Sequence, residues 1–183
     1  MKEDIDRWNQ KFAGRALNAQ PEPDNLLVEC PWLPPAGKAL DIASGSGQNA
    51  VYLAQLGFDV TAIDGSKVGM ELATRLAEHC SVNITAVVAD LDDYNPQGNF
   101  DLIIVFHYLN RELFGKLASR LNPGGILAVK TFNQDFLDKR PTFNPDYVLK
   151  PGELSGTFTG LEALLDEESP EHSPGKSIFV GRK

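Results

Sequence analysis

From position 38 to position 130, short apolar runs alternate with stretches in which apolar residues recur every three or four positions. Ala39-Leu40-Asp41-Ile42-Ala43 is an apolar run closed by a Gly/Ser cluster, the pattern of a buried strand. Over residues 49–56, Val51, Tyr52, Leu53 and Leu56 fall at helical spacing, and Gly57 stands where a helix would end. Asp59-Val60-Thr61-Ala62-Ile63 predicts a second strand, ending at Asp64. Ser66 is placed to cap a helix reaching about residue 79, with Met70, Leu72, Leu76 and Ala77 inward. Residues 84–88 predict a third strand, ending at Asp90. Asp101-Leu102-Ile103-Ile104-Val105-Phe106 predicts a fourth, apolar enough to be buried on both faces. Asn110 caps a predicted helix to about residue 121, and Gly125-Ile126-Leu127-Ala128-Val129-Lys130 predicts the fifth strand.

The flanks differ. Residues 4–17 predict a helix with Ile5, Trp8 and Phe12 on one face. Pro21, Pro23, Pro31, Pro34 and Pro35 then impose an extended connection. After Thr131 the rhythm breaks into a loop rich in Pro, Asn and cations, followed by a short helix near residues 151–158. Two β-like runs, residues 161–166 and 177–181, suggest a closing antiparallel hairpin. Strand–helix–strand alternation implies right-handed crossovers and a parallel sheet, so the fold class is α/β. We expect one domain: an N-terminal helical, Pro-rich segment over residues 1–36 and a catalytic domain over residues 37–183.

Composition narrows the function. The 183 residues carry a net charge of −8, with 42% apolar and 23% charged residues. Phosphate contacts need a basic face, so nucleic acid is not the expected partner. The start alternates charge without an apolar core, which is not a secretory signal, and the purest apolar run, residues 102–106, is far too short to span a membrane. Cys30 and Cys80 belong to no Cys/His cluster and suggest neither a redox pair nor a metal site. A cytoplasmic, soluble monomer or homodimer is expected.

In an open α/β sheet, ligands bind beyond the carboxyl ends of the strands. There the first strand runs into Asp41-Ile42-Ala43-Ser44-Gly45-Ser46-Gly47, where Gly45 and Gly47 permit a tight turn and close backbone approach. Asp64 follows Gly47 by 17 residues, near the offset at which a carboxylate meets a ribose diol. Gly45-Ser46-Gly47-Gln48-Asn49-Ala50 also satisfies the dinucleotide fingerprint G-x-G-x-x-A, so a nicotinamide-dependent oxidoreductase remains an alternative. Against it, Asp41 would repel a pyrophosphate and attract a cationic amine.

The segment Leu40-Asp41-Ile42-Ala43-Ser44-Gly45-Ser46-Gly47 resembles motif I of the class I S-adenosylmethionine-dependent methyltransferases. Val60-Thr61-Ala62-Ile63-Asp64, Val88-Ala89-Asp90-Leu91, Phe100-Asp101-Leu102-Ile103-Ile104 and Leu121-Asn122-Pro123-Gly124-Gly125 match further family segments in order. The resemblance implies a Rossmann-like fold with a seven-stranded, mostly parallel sheet, helices on both faces and a C-terminal antiparallel hairpin. It implies S-adenosylmethionine as cofactor and S-adenosylhomocysteine as product. The cofactor residues it implies are Asp41, Ala43, Ser44, Gly45, Gly47, Asp64, Gly65, Ser66, Asp90, Leu91 and Phe106. Asp64 would bind the ribose diol, Asp90 the adenine amino group, the Leu91 backbone N–H the ring, and Asp41 the cofactor's amino group. Ala43 stands where the family usually has glycine, which a negative φ there would allow.

His107 and Tyr108 leave the fourth strand where an acceptor would sit, and His107 is the candidate base or hydrogen-bond donor. The N-terminal segment Arg7-Trp8-Asn9-Gln10-Lys11-Phe12 and residues 144–154 are similar to the tellurite-resistance (TehB-like) and thiopurine-methyltransferase-like branch. That resemblance implies a lid formed by Trp8 and Phe12 and a small-molecule acceptor, with a chalcogen oxyanion or a thiol as candidates. Arg7, Lys11, Arg111, Lys139 and Arg140 are the cations available to face such an acceptor. A non-catalytic cofactor-binding module is the remaining alternative.

Overall fold

The computed structural model describes residues 2–16 and 20–183, with side chains from Asp4 onward. Seven strands form one sheet: β1 (Gly37–Ile42), β2 (Phe58–Asp64), β3 (Thr85–Val88), β4 (Phe100–Phe106), β5 (Leu121–Phe132), β6 (Glu162–Glu168) and β7 (Lys176–Arg182), in the order β3-β2-β1-β4-β5-β7-β6. The first five pair in parallel, and β7 inserts antiparallel between β5 and β6. The helices are α1 (Lys2–Ala13), α2 (Asn25–Val28), α3 (Gln48–Gln55), α4 (Lys67–His79), α5 (Arg111–Leu117), α6 (Asp135–Lys139) and α7 (Glu153–Thr157).

Strand residues alternate between two buried layers because successive side chains leave opposite faces of the sheet. Leu40, Ile42, Ile103, Val105, Leu127 and Val129 pack with Leu113, Phe114 and Leu117 of α5 and with Leu154 and Phe158 around α7. Ala39, Leu102, Ile104, Phe106, Ile126 and Ala128 pack with Leu27 of α2 and with Ala50 and Leu53 of α3. Both faces are covered, as continuous apolar strands require. Ser66 and Asn110 cap α4 and α5 through their side chains, as the sequence predicts.

Four boundaries differ from expectation. The first helix stops at Ala13, short of the expected Leu17, which itself lies outside the described residues. The Pro-rich connection is not wholly extended: Asp24 accepts a hydrogen bond from the Leu26 N–H and starts the one-turn α2, whose Leu27 is fully buried. Leu27 thus joins the core, with Leu26, Trp32 and Leu33 packed partly buried against the same layer. The helix after Asn110 stops at Leu117, and β5 begins early at Leu121 because Asn122-Pro123-Gly124-Gly125 bulges out between two paired stretches. β5 also continues to Phe132, and α6 forms in the stretch expected to be loop.

Candidate functional site

The strand order reverses between β1 and β4, which both pair with their neighbours through carboxyl ends at the same level of the sheet. Such a reversal opens a crevice beyond those ends. Asp41, in β1, is 1% exposed and accepts a 2.7 Å hydrogen bond from the Ser44 hydroxyl and one from the Ala50 N–H. Burial, and then the nearby Asp64 carboxylate, raise its pKa to about 7 against the hydrogen bond from Ser44. Among the described residues no cation pairs with it. Asp64 accepts from the Gly45 and Ser66 N–H groups, each at 2.8 Å, and burial raises its pKa despite these bonds. One carboxylate thus shapes the turn after β1 and the turn after β2 together.

The turn itself is left-handed at three positions: Ala43 (φ 59), Gly45 (φ 57) and Gly47 (φ 76). This corrects the expectation of a negative φ at Ala43, which instead sits in the conformation that favours glycine. Gly47 caps α3, and a Cβ there would lie 2.4 Å from the Ala73 Cβ, so this glycine is required by the close packing of α4. A Cβ on Gly45 would meet the Phe12 ring at 3.0 Å, and one on Gly65 would meet Ile5 at 3.1 Å. Helix α1 therefore lies against both turns, and Asn9 accepts a 2.7 Å bond from the Ser66 hydroxyl. Phe12 is buried there, whereas Trp8 stacks on it and stays 39% exposed.

Asp90 is exposed and accepts from the Asp92 N–H, while the Leu91 side chain is buried and its carbonyl accepts from the Asn110 amide. Phe106, expected to touch the cofactor, has its ring in the layer beneath α2 and α3, so only its backbone reaches the strand end. Burial holds the Tyr108 pKa up at about 12, so its hydroxyl stays protonated; Asn110 donates to it at 3.4 Å.

Several expected acceptor residues are engaged elsewhere. Arg111 forms a bidentate pair with Glu153 (2.6 and 3.1 Å) and donates to the Asp146 and Val148 carbonyls, bracing residues 144–153 against α5. Arg7 pairs with Asp4 at 2.7 Å, and the Lys11 ammonium lies 4.0 Å from the Trp8 ring centre. Lys139 and Arg140 are exposed at the end of α6.

Other residues converge beside His107 that the sequence reading passed over. Lys130, 5% exposed, donates to Asp24 at 2.8 Å, and the second Asp24 oxygen lies 3.5 Å from His107 Nε2. Asp24 is fixed further by its own N–H, which donates to Asn49 at 2.8 Å. Phe132, Phe136 and Phe143 form a half-buried aromatic group with ring centres 4.2–5.5 Å apart, and His107 lies 5.8 Å from Phe132. The legible signal was Lys130 itself, a cation inside an apolar strand that demands a buried anion. Its partner stands 106 residues away, which no local pattern reveals.

The donor set fits a cationic ligand with a diol. Among the described residues no cation pairs with the two neighbouring carboxylates, one is deeply desolvated, and glycines bring the backbone close. A second surface depression, lined by Gly37, Lys38, Asp59, Asp101 and Asn122, lies at the opposite ends of the strands and holds none of these groups.

The sheet, with its glycine turn and paired acids at the strand-order reversal, is a Rossmann-like fold shared with solved methyltransferase structures. Residues 39–125 match the family model described as "Methyltransferase domain". A probable S-adenosyl-L-methionine-dependent methyltransferase, TehB, of Haemophilus influenzae is 34% identical over 95 residues, which cover 48% of this chain and 33% of that protein. A ubiquinone biosynthesis O-methyltransferase of Rickettsia prowazekii is 32% identical over 100 residues, covering 52% and 40%. The matched segment thus spans between a third and two fifths of these relatives. The crystal structure of TehB from Haemophilus influenzae superposes with a TM-score of 0.70 at 24% identity, over 80% of this chain and 57% of that one. No helix among the described residues is long and apolar enough to cross a membrane.

Proposed function

We propose that the chain is an S-adenosylmethionine-dependent methyltransferase acting on a small-molecule acceptor. The observation that carries the reading is the Asp41–Asp64 pair at the glycine turn, two carboxylates awaiting a cation where the strand order reverses. When bound, the cofactor supplies a sulfonium methyl: the acceptor's lone pair forms the new bond, and the electrons of the broken C–S bond stay with S-adenosylhomocysteine.

The protein's part is binding, alignment and exclusion of water. Asp41 attracts the cofactor's ammonium, directly or through water. Asp64 keeps unused lone pairs for the ribose diol while its present bonds hold both turns. Gly45, Gly65 and Ser66 line the sugar and adenine side, with Asp90 and the Leu91 N–H toward the base. Phe12 closes the site from α1. His107 stands at the acceptor end. A thiol or a chalcogen oxyanion is the acceptor that the resemblance of the N-terminal segment and residues 144–154 to the tellurite-resistance and thiopurine-methyltransferase-like branch implies.

Calorimetric titration with S-adenosylmethionine, S-adenosylhomocysteine and NAD tests this. Micromolar binding of the first two without NAD is expected; NAD binding alone overturns it.

A further inference from the structure

We infer that Asp24 is a positioning residue for His107, holding its imidazole with the proton on Nε2 and the Nδ1 lone pair free to accept a proton from the acceptor's nucleophile. This rests on the methyltransferase reading and sharpens it: the acceptor is then a group that carries a proton, such as a thiol, hydroxyl or amine, rather than a bare oxyanion.

Three observations converge. His107 is held at φ 60, a conformation costly for a residue with a Cβ, and its N–H donates to the Lys130 carbonyl at 2.7 Å. Strain at a strand end next to a candidate ligand crevice is kept only where the surroundings over-determine it. Asp24 is such a surrounding group. Its Oδ1 is taken by Lys130 Nζ at 2.8 Å and the Leu26 N–H at 2.9 Å, which leaves Oδ2 directed at His107 Nε2, 3.5 Å away. Lys130 and the N–H bonds keep Asp24 ionised, so it acts as an acceptor for an imidazole N–H. Among the described residues no protein group bonds Nδ1. The charged groups around the ring are Asp24 ahead of α2, Lys130 on β5 and, further out, Lys176 on β7.

Asp24 reaches this position from outside the sheet. Its N–H is fastened to Asn49 and the neighbouring Glu22 N–H to Gln48, both at the start of α3. The same helix start borders Asp41 through Ala50. One short helix therefore registers both the cofactor acid and the group that orients His107. The Phe132 ring also packs beside the imidazole, with 5.8 Å between ring centres.

Nitrogen-15 NMR of the full chain labelled at histidine reads the tautomer without needing an acceptor. His107 is assigned by the signal lost in His107→Gln and measured at pH 8, with and without S-adenosylhomocysteine. In the wild type the Nε2–H form is expected to dominate, and Lys130→Met is expected to preserve it. The double variant Asp24→Asn with Lys130→Met, which leaves no unpaired buried charge, is expected to fall back to the weaker Nε2–H preference of a free imidazole. A dominant Nδ1–H form in the wild type, or an unchanged tautomer ratio in the double variant, overturns the proposal. Absence of S-adenosylhomocysteine binding, read in the same samples by unchanged spectra, would instead remove the methyltransferase reading and with it the acceptor class.

Discussion

Lys130 on β5 and Asp24 ahead of α2 meet at 2.8 Å across 106 residues of sequence, and they join the N-terminal segment to the sheet. A buried pair is costly to break from one side, because the survivor keeps its charge without a partner. Asp24→Ala is expected to destabilise the protein by about 3 kcal/mol and Lys130→Met by less, measured by urea unfolding. Hydrogen bonds from His107 and Lys130 hold the Asp24 pKa well below the ordinary carboxylate range, against its burial. The unfolded chain then binds the extra proton, so this stabilisation is present above about pH 4 and is lost as the pH falls toward the folded value. A wild-type acid-unfolding curve no steeper than that of the double variant would exclude this.

Asp41 behaves oppositely. Its folded pKa of about 7 exceeds the ordinary 3.8, so between these values the folded state holds the extra proton and stability falls as pH rises. Asp41→Asn is expected to raise the stability of the ligand-free protein at pH 8 by on the order of 1–2 kcal/mol, after loss of one hydrogen bond is counted. The same change should weaken S-adenosylmethionine binding about tenfold. Wild-type affinity should rise between pH 6 and pH 8 while that of the variant stays flat. Calorimetry at the two pH values decides it.

Asp64→Ala removes the proposed diol contact and the two backbone bonds that set the turns. Cofactor affinity is expected to fall by about 2 kcal/mol or more, the scale for bonds to a charged group. Unchanged affinity in titration would end the ribose assignment.

Ala43→Gly should stabilise the protein by up to about 1 kcal/mol. Relief of the left-handed alanine outweighs the added freedom of the unfolded glycine. Urea unfolding with an unchanged slope would measure the gain, and a loss would mean that the Ala43 methyl group packs favourably.

Arg111→Lys should not rescue Arg111→Ala. The guanidinium satisfies Glu153 and two carbonyls at once, a geometry that an ammonium cannot reproduce. Both variants are expected to speed hydrogen exchange in residues 146–153 several-fold. Equal protection in Arg111→Lys and wild type would contradict this.

The five parallel strands, the caps Ser66 and Asn110, and the acids ending β1, β2 and β3 were readable from residue order, because each obeys a rule of local range. Strand burial shows in apolar runs, helix starts show in short side-chain acceptors, and the glycine turn declares itself by composition. Contacts between distant segments leave no such trace. That Arg111 braces a loop, that Phe106 faces the core, and that Asp24 meets Lys130 and His107 all depend on which faces the packed helices cover. The left-handed Ala43 belongs here too: its φ is set by the Ser44 N–H bond to Ile63 and the Gly47 N–H bond to Ser44, not by its own preference. Periodicity and turn chemistry act over a few residues and are written in order along the chain. The pairing of a buried charge is settled only when packing removes water and leaves one partner within reach.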